Sequence, residues 1–390
     1  MTDRVRAFYE AHPYPPGDTP DCDAYQARLL LSYIDRRMSV PDSLKVLEAG
    51  CGRGINLTQV AREYPADRFT GIDINRVAIG EATERAVIQG LGNIAFLEAD
   101  LTQSGAIPSQ DAGYDVILSY GVLHHLQQPQ LGLVRLAEQL APEGVIVFMV
   151  DGRYAHQPLA RYREALDLLE SRPTPAFARA LARVAEQGIF KATPWQGTAE
   201  TDPVEFADRC LHVQETSFDI DALWRLLGTA GLRFIRWIEP RDWRVDGLSD
   251  DPDLLQRLNA LEPRRRYQVI ERLSQRPKLT LVAARSQAKP RCPVTTDTLG
   301  ATTLALNPQL RRLPEGCCEL RRRAVVPPPE EAQLRLMDHM SQVGRPLSGA
   351  QLNDWLVKRG LSRTSSEILL LALVEQELLY RPHVDAGVHP

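Results

Sequence analysis

Val46-Leu47-Glu48-Ala49-Gly50-Cys51-Gly52-Arg53-Gly54 is an apolar, strand-like run that ends in a glycine-rich turn, and the helical stretch Asn56–Tyr64 follows it. Glycine has no Cβ, so residues 50, 52 and 54 let the chain turn sharply and bring its backbone close to a ligand. Strand–turn–helix units of this kind occur in many nucleotide-binding folds. A dinucleotide fingerprint would place its third glycine at position 55, where this chain has Ile55. Glu48, just before the first glycine, is a poor neighbour for a pyrophosphate and a good one for a cationic amino-acid moiety. The turn therefore suits a zwitterionic ligand without phosphates.

Outward from this turn, short apolar runs alternate with amphipathic helices as far as about residue 284. The runs are Lys45–Leu47, Phe69–Ile72, Ile94–Leu97, Val116–Leu118, Val145–Met149, Arg233–Trp237 and Leu279–Ala283. Helices are expected at Arg76–Gln89, Gln130–Ala141 and Ile220–Ala230, the last stopping at Gly231 as helices commonly do. This alternation predicts an α/β fold with a doubly wound, mainly parallel sheet covered on both faces.

Two further acidic residues stand at successive strand ends. Asp73, nineteen residues after Gly54 in Gly71-Ile72-Asp73-Ile74, is placed to accept the hydroxyls of a ribose. The alternative is a helix N-cap for Arg76–Gln89, a position that favours Asp. Asp100, in Glu98-Ala99-Asp100-Leu101, could accept from an exocyclic adenine amine while the Leu101 backbone bonds the ring. Alone it would be an ordinary turn residue.

These motifs, together with Tyr114-Asp115-Val116-Ile117-Leu118-Ser119, resemble those of the class I (Rossmann-like) S-adenosylmethionine-dependent methyltransferases. The resemblance is specific over about residues 44–150 and extends to about 285 by architecture. It implies a seven-stranded sheet ending in an antiparallel hairpin, with S-adenosylmethionine as cofactor. By motif position it implies a cofactor site of Glu48, Gly50, Cys51, Gly52, Gly54, Asp73, Ile74, Asp100, Leu101, Ser119 and Tyr120. Gly50 and Gly52 would face the methionine portion, Asp73 the ribose and Asp100 the adenine, with Ser119 and Tyr120 near the sulfonium. The expected reaction is in-line methyl transfer to an acceptor, and no metal is expected.

Catalytic candidates are fewer. Gly121-Val122-Leu123-His124-His125-Leu126 is similar to the segment after the fourth strand in many small-molecule members of this class. One of His124 and His125 could act near the methyl group while the other holds the loop. Phe8-Tyr9-Glu10-Ala11-His12-Pro13-Tyr14-Pro15 is similar to a lid-like element, in which Tyr9 and Tyr14 close over the cofactor or simply pack. Asp208 and His212 would share a helix face at i, i+4, giving an oriented general base or a surface ion pair. The catalytic candidates are His124, His125, His212 and Tyr14.

The chain is expected to divide into an arm over 1–40, a methyltransferase-like domain over 41–285, a linker over 286–328 and a helical, winged-helix-like domain over 329–390. Within the arm, Tyr25, Leu29, Leu30, Tyr33 and Ile34 read as a helical face packing on the following domain. Helical insertions at 152–216 and 240–278 shape an acceptor pocket or serve as a buttress or homodimer contact. A methyltransferase domain with a Pro-Tyr-Pro arm and such a tail also resembles bacterial protein lysine methyltransferases and their regulatory-domain relatives. The leading expectation is a small-molecule acceptor. A protein or peptide acceptor presented by the tail, and a cofactor-binding regulator whose tail contacts DNA, are the alternatives.

Composition narrows these. At 390 residues, with 44% hydrophobic and 25% charged residues, the chain has the balance of folded domains. A net charge of −4 argues against nucleic acid or an anionic membrane as a partner, and the basic runs Arg264–Arg266 and Arg321–Arg323 read as solvated surface. No secretory signal is read at the N-terminus, and no run reaches the roughly 18 apolar residues of a membrane span. The six cysteines lack a disulfide framework, so a cytoplasmic location is expected. Cys292, Cys317 and Cys318 have no Cys-x-x-Cys or histidine partner that would mark them as metal ligands.

Overall fold

In the computed structural model, residues 3–18, 26–170, 173–245, 248–313, 318–320, 323–325 and 329–383 are described. They form two compact units, one of residues up to 18 with 43–287 and the other of 26–42 with 288–383.

The first unit is built on seven strands: β1 Lys45–Ala49, β2 Arg68–Asp73, β3 Ile94–Glu98, β4 Tyr114–Tyr120, β5 Leu140–Asp151, β6 Leu232–Trp237 and β7 Lys278–Arg285. Their order across the sheet is β3-β2-β1-β4-β5-β7-β6, and only β7 runs antiparallel to its neighbours. The sheet order reverses beside β1, so the strand carrying the glycine turn lies at the switch point, where α/β sheets place ligands. Buried Val46, Leu47, Val116, Ile117, Val145, Ile146 and Val147 explain the unbroken apolar runs, since central parallel strands are covered on both faces. Edge strand β3 is mostly exposed.

The helices on the faces are α2 Ile55–Glu63, α3 Arg76–Ile88, α4 Pro129–Glu138 and α8 Ile220–Thr229, with α1 Asp3–Ala11 in the arm. α8 begins at Asp219, whose side chain accepts from Ala222 N–H, and stops as expected before Gly231, which has φ +65°. The first insertion contains α5 Arg153–Leu169, α6 Pro175–Glu186 and α7 Pro203–Leu211. It has its own core of Leu159, Tyr162, Leu166, Phe190, Trp195 and Phe206. The second insertion contains α9 Pro252–Asn259 and α10 Pro263–Ser274. No described helix is long and apolar enough to cross a membrane.

The second unit departs from two expectations. Leu29 and Leu30 lie on a short helix, Ala27–Leu31, but Ile34 leaves it to pair with Pro290 in a two-residue strand. The segment therefore pairs with residues of the C-terminal part of the chain. Residues 286–328, expected as a linker, supply the strand Thr303–Leu306, which pairs with both Leu347–Ser348 and Leu379–Tyr380. Leu299, Leu304, Cys318, Leu320 and Val325 share a core with helices α11 Glu331–Val343, α12 Gly349–Val357 and α13 Arg363–Glu375. Their strands are two to four residues long, too short to give a periodic signal. Tyr25, Cys317, Arg321, Arg322, Pro327 and Pro328 lie outside the described residues.

The switch point is tightly packed. A Cβ on Gly71 would stand 2.5 Å from Phe96 Cδ1 and 2.9 Å from Cys51 Sγ. Gly71→Val is expected to cost about 1–3 kcal/mol through overpacking, read as a lower urea midpoint with an unchanged slope.

Candidate functional site

At the carboxyl ends of the first strands, Gly50, Gly52 and Gly54 all have left-handed φ, +82°, +50° and +66°. The turn is held from β2. Gly50 and Cys51 N–H both donate to the Ile72 carbonyl at 2.7 and 3.0 Å, and Gly52 N–H donates to Asp73 Oδ2 at 2.9 Å. Asn75 N–H donates to the other oxygen at 2.8 Å. Burial raises the Asp73 pKa, and the backbone N–H groups of Asn75, Gly52 and Ile74 oppose the rise. A carboxylate offers about four acceptor sites, so ribose hydroxyls can still be received. The helix cap, the alternative role for Asp73, falls to Asn75, which accepts from Val77 and Ala78 N–H.

Glu48 is buried on β1, in register with Gly71 on one side and Leu118 on the other. Asp100 lies two residues past the end of β3, with Oδ1 accepting the Thr102 N–H at 2.9 Å and hydroxyl at 2.7 Å. Ile74 and Leu101 are buried beside these acids in sequence. Burial, then Asp73 and Glu48, push the Cys51 thiol well up, so it is an inert packing group. Ser119 is fully buried with no hydrogen-bond partner for its Oγ among the described residues, and Tyr120 is half-buried.

The arm lies across these strand ends. Arg6 is 4.0 Å from Glu98, Asn75 Nδ2 donates to the Tyr9 carbonyl at 3.0 Å, and Arg53 donates to the Gly17 carbonyl at 2.9 Å. A Cβ on Gly52 would stand 2.8 Å from the Tyr14 carbonyl. Tyr14 itself is 37% exposed, with its phenol beside Glu205, and burial followed by Glu205 raises its pKa. The arm aromatics that reach the histidines are Phe8 and Tyr9.

His124 and His125 sit in a 3₁₀ turn and both are buried. Their rings diverge by 59°. His124 Nε2 is 3.5 Å from Asp151 Oδ2, and His156 Nε2 is 3.3 Å from the same oxygen. His125 stacks on His212 with ring centroids 3.7 Å apart. Phe8 and Tyr9 cover His212 at 4.7 and 5.4 Å, and Tyr9 donates to Asp208 at 3.1 Å. The surface ion pair weighed for Asp208 and His212 is absent, because His212 is the cap residue after α7 and both side chains turn inward. Burial holds His124 down to about 3 and keeps His125 and His212 far below the usual histidine range. All three are neutral at pH 7.

Several partners escaped sequence reasoning. Asp151 ends β5, and His156 and Arg163 lie two turns apart on one face of α5, a spacing that was readable. Arg163 donates to Glu215 at 2.7 Å. Burial would raise Glu215, but Arg163 outweighs it and holds the carboxyl at about 2. His125, Asp208 and His212 form one group with donor atoms within 4.8 Å of one another, and Asp151, His156 and Glu215 form a second. In the second group the Arg163 guanidinium already balances Glu215.

A family model described as a methyltransferase domain matches residues 41–171. An uncharacterised protein of Synechococcus is 29% identical over 300 residues, spanning 72% of this chain and 70% of the relative. A malonyl-[acyl-carrier protein] O-methyltransferase of Bacillus cytotoxicus is 31% identical over 135 residues, 35% of this chain; the match spans less than half, 45%, of that relative. Among solved structures, PKMT2 from Rickettsia typhi has the same fold, with a TM-score of 0.69 at 15% identity over 95% of this chain and 77% of that one. It has also been solved in complex with AdoHcy.

Burial, then nearby Glu205, Asp151 and Glu215, raise Asp208 to about 7 despite its bond from Tyr9. A carboxyl raised in the folded state stabilises fully below its unfolded pKa, and that stability fades as pH rises through about 7. Asp208→Asn keeps an acceptor for Tyr9 without the charge. Its melting temperature relative to the parent chain should rise between pH 5 and pH 8, and a flat difference would contradict the raised value.

Proposed function

This chain belongs to the class I S-adenosylmethionine-dependent methyltransferases, and from that premise we propose that it methylates a small acceptor molecule held against the buried histidines. The enclosure of His124, His125 and His212, each less than a tenth exposed and covered by the arm through Phe8 and Tyr9, carries this reading. The donor set fits the cofactor. Glu48 matches its ammonium, the backbone of Gly50–Gly54 its methionine portion, Asp73 its ribose hydroxyls, and Asp100 with the Leu101 N–H its adenine. Cys51 and Ile74 pack behind these groups, and Ser119 and Tyr120 line the side of the site nearest the histidines in sequence.

S-adenosylmethionine, when bound, supplies a methyl group on a sulfonium whose departure leaves a neutral thioether. What remains for the protein is alignment and the exclusion of water. Positioning alone can lower such a barrier by on the order of 7 kcal/mol. The arm excludes water, with Tyr14 holding its position over the glycine turn. A buried neutral imidazole can take a proton from the acceptor, as general bases do.

Two measurements test this reading. Calorimetric titration with S-adenosylhomocysteine should give a single site, weakened at least about tenfold by Asp73→Ala or Asp100→Ala, the loss of one charged hydrogen bond. Incubating the protein with methyl-tritiated cofactor and cell extract should place label in the small-molecule fraction. Label confined to protein would replace the small acceptor with a polypeptide, and no label with intact binding would leave a cofactor-binding regulator.

A further inference from the structure

One residue, Gln214, bonds both stacked imidazoles. His125 Nδ1 lies 2.9 Å from the Gln214 carbonyl oxygen, and the Gln214 N–H donates to His212 Nδ1 at 3.1 Å. A carbonyl oxygen only accepts and a peptide N–H only donates. His125 must therefore carry its proton on Nδ1, whereas His212, whose Nδ1 lone pair is taken, must carry its proton on Nε2. We infer that the Gln214 backbone N–H and carbonyl set opposite tautomers in the two rings and that the pair is a site for a hydroxyl group. His125 Nε2 takes its proton, and His212 Nε2–H donates to its oxygen.

The geometry supplies the rest. The rings stack 29° from parallel, and both Nδ1 atoms turn to the same residue, so both Nε2 atoms point away from Gln214. His212 Nε2 is buried and has no partner among the described residues, a donor that costs stability unless a ligand receives it. A hydroxyl is the simplest group that satisfies both rings, giving a proton to one and accepting from the other. An ammonium carries only donors and meets the His212 N–H with nothing to offer it. A carboxylate has no proton for His125. The same bonds bear on a metal held by His125, Asp208 and His212. An ion on His212 Nε2 wants the proton on Nδ1, the atom that the Gln214 N–H already occupies.

The inference rests on the small-acceptor reading and narrows it to O-methylation. The hydroxyl oxygen forms a bond to the methyl carbon, and the carbon–sulfur bond breaks with its electron pair going to sulfur. The hydroxyl proton moves to His125 Nε2. The imidazolium so formed keeps its Nδ1–H on the Gln214 carbonyl, which serves as the orienting third group of a nucleophile–base arrangement. Gln214 is a positioning residue, acting through the two rings.

The direct test needs no acceptor. Long-range proton–nitrogen NMR of the full-length protein labelled with ¹⁵N-histidine should show His125 protonated at Nδ1 and His212 at Nε2 at pH 7. The signals are assigned by their loss in His125→Gln and His212→Gln. Equal tautomers, or an imidazolium at either position, overturn the inference. With ¹³C-methyl cofactor and the small-molecule extract, the product methyl should resonate as a methoxy group, and a methyl on nitrogen or sulfur overturns it. His125→Gln should lower kcat at least about 100-fold, the lower end of general-base contributions, while S-adenosylhomocysteine affinity holds. His212→Gln, which keeps an N–H donor, should lose less than His212→Leu, and equal losses overturn the donor role. If label enters only protein, the small-acceptor reading falls, and the tautomer spectra still decide this one.

Discussion

The fastening of the glycine turn to the second strand is the constraint on which the rest of this molecule depends. One carbonyl, that of Ile72, receives two N–H groups, and one carboxylate, that of Asp73, receives a third. Three glycines in left-handed conformation would otherwise be an entropically expensive segment. Held in this way, the turn aims its backbone at the carboxyl edge of the sheet, and the arm can rest its Tyr14 carbonyl against Gly52. Asp73 therefore has two duties, holding the turn and offering its remaining lone pairs to a ligand. The first duty is fulfilled in the folded chain itself, which explains how a carboxylate so deeply buried is tolerated.

Burial also sets the chemistry around the histidines. Removing charge from water penalises it, and the two neighbouring groups answer that penalty differently. Around His125, His212 and Asp208, burial disfavours charge, lowering the imidazoles and raising the carboxyl to about 7. Around Glu215 the answer is pairing, with the Arg163 guanidinium in direct contact. Asp151 stands between the two regimes, pushed up to about 6 by burial while His156 draws it down. The insertion that carries Arg163, Asp208 and His212 has its own apolar core, so these groups are held by a packed frame and not by a loop.

The sheet was legible because its strands are short apolar runs alternating with amphipathic helices, and the order of turn, Asp73 and Asp100 follows from strand ends. The histidine cluster was only half legible. His124, His125 and His212 stand out as histidines, but their partners come from β5, α5 and the residues after α7, and only the fold brings those together. Asp208 and His212 show the limit of spacing arguments. The i, i+4 rule assumes that the helix continues, and here it stops at Leu211, which turns the imidazole toward His125. The stretch over 286–328 was misread for a related reason. Its strands are too short for a period to register, and the partners of Thr303–Leu306 lie more than forty residues away.

Neutral imidazoles beside a cationic cofactor are physically consistent in a way that charged ones would not be. Two like charges about 6 Å apart at an effective dielectric of about 20 repel by roughly 3 kcal/mol, enough to weaken cofactor binding by two powers of ten. A site that needs a base near a sulfonium has two ways to avoid this: keep the base far off, or keep it uncharged until the cation's charge is lost in the reaction. Burial of His125 among His124, His212 and Tyr9 achieves the second. If His125 serves as the base proposed above, its imidazolium would form only as the sulfonium charge is lost, and the two positive charges would not coexist in full. The cover that Phe8 and Tyr9 place over His212 and the low basicity of the histidines share one cause, burial, and the proposed general base would draw on both.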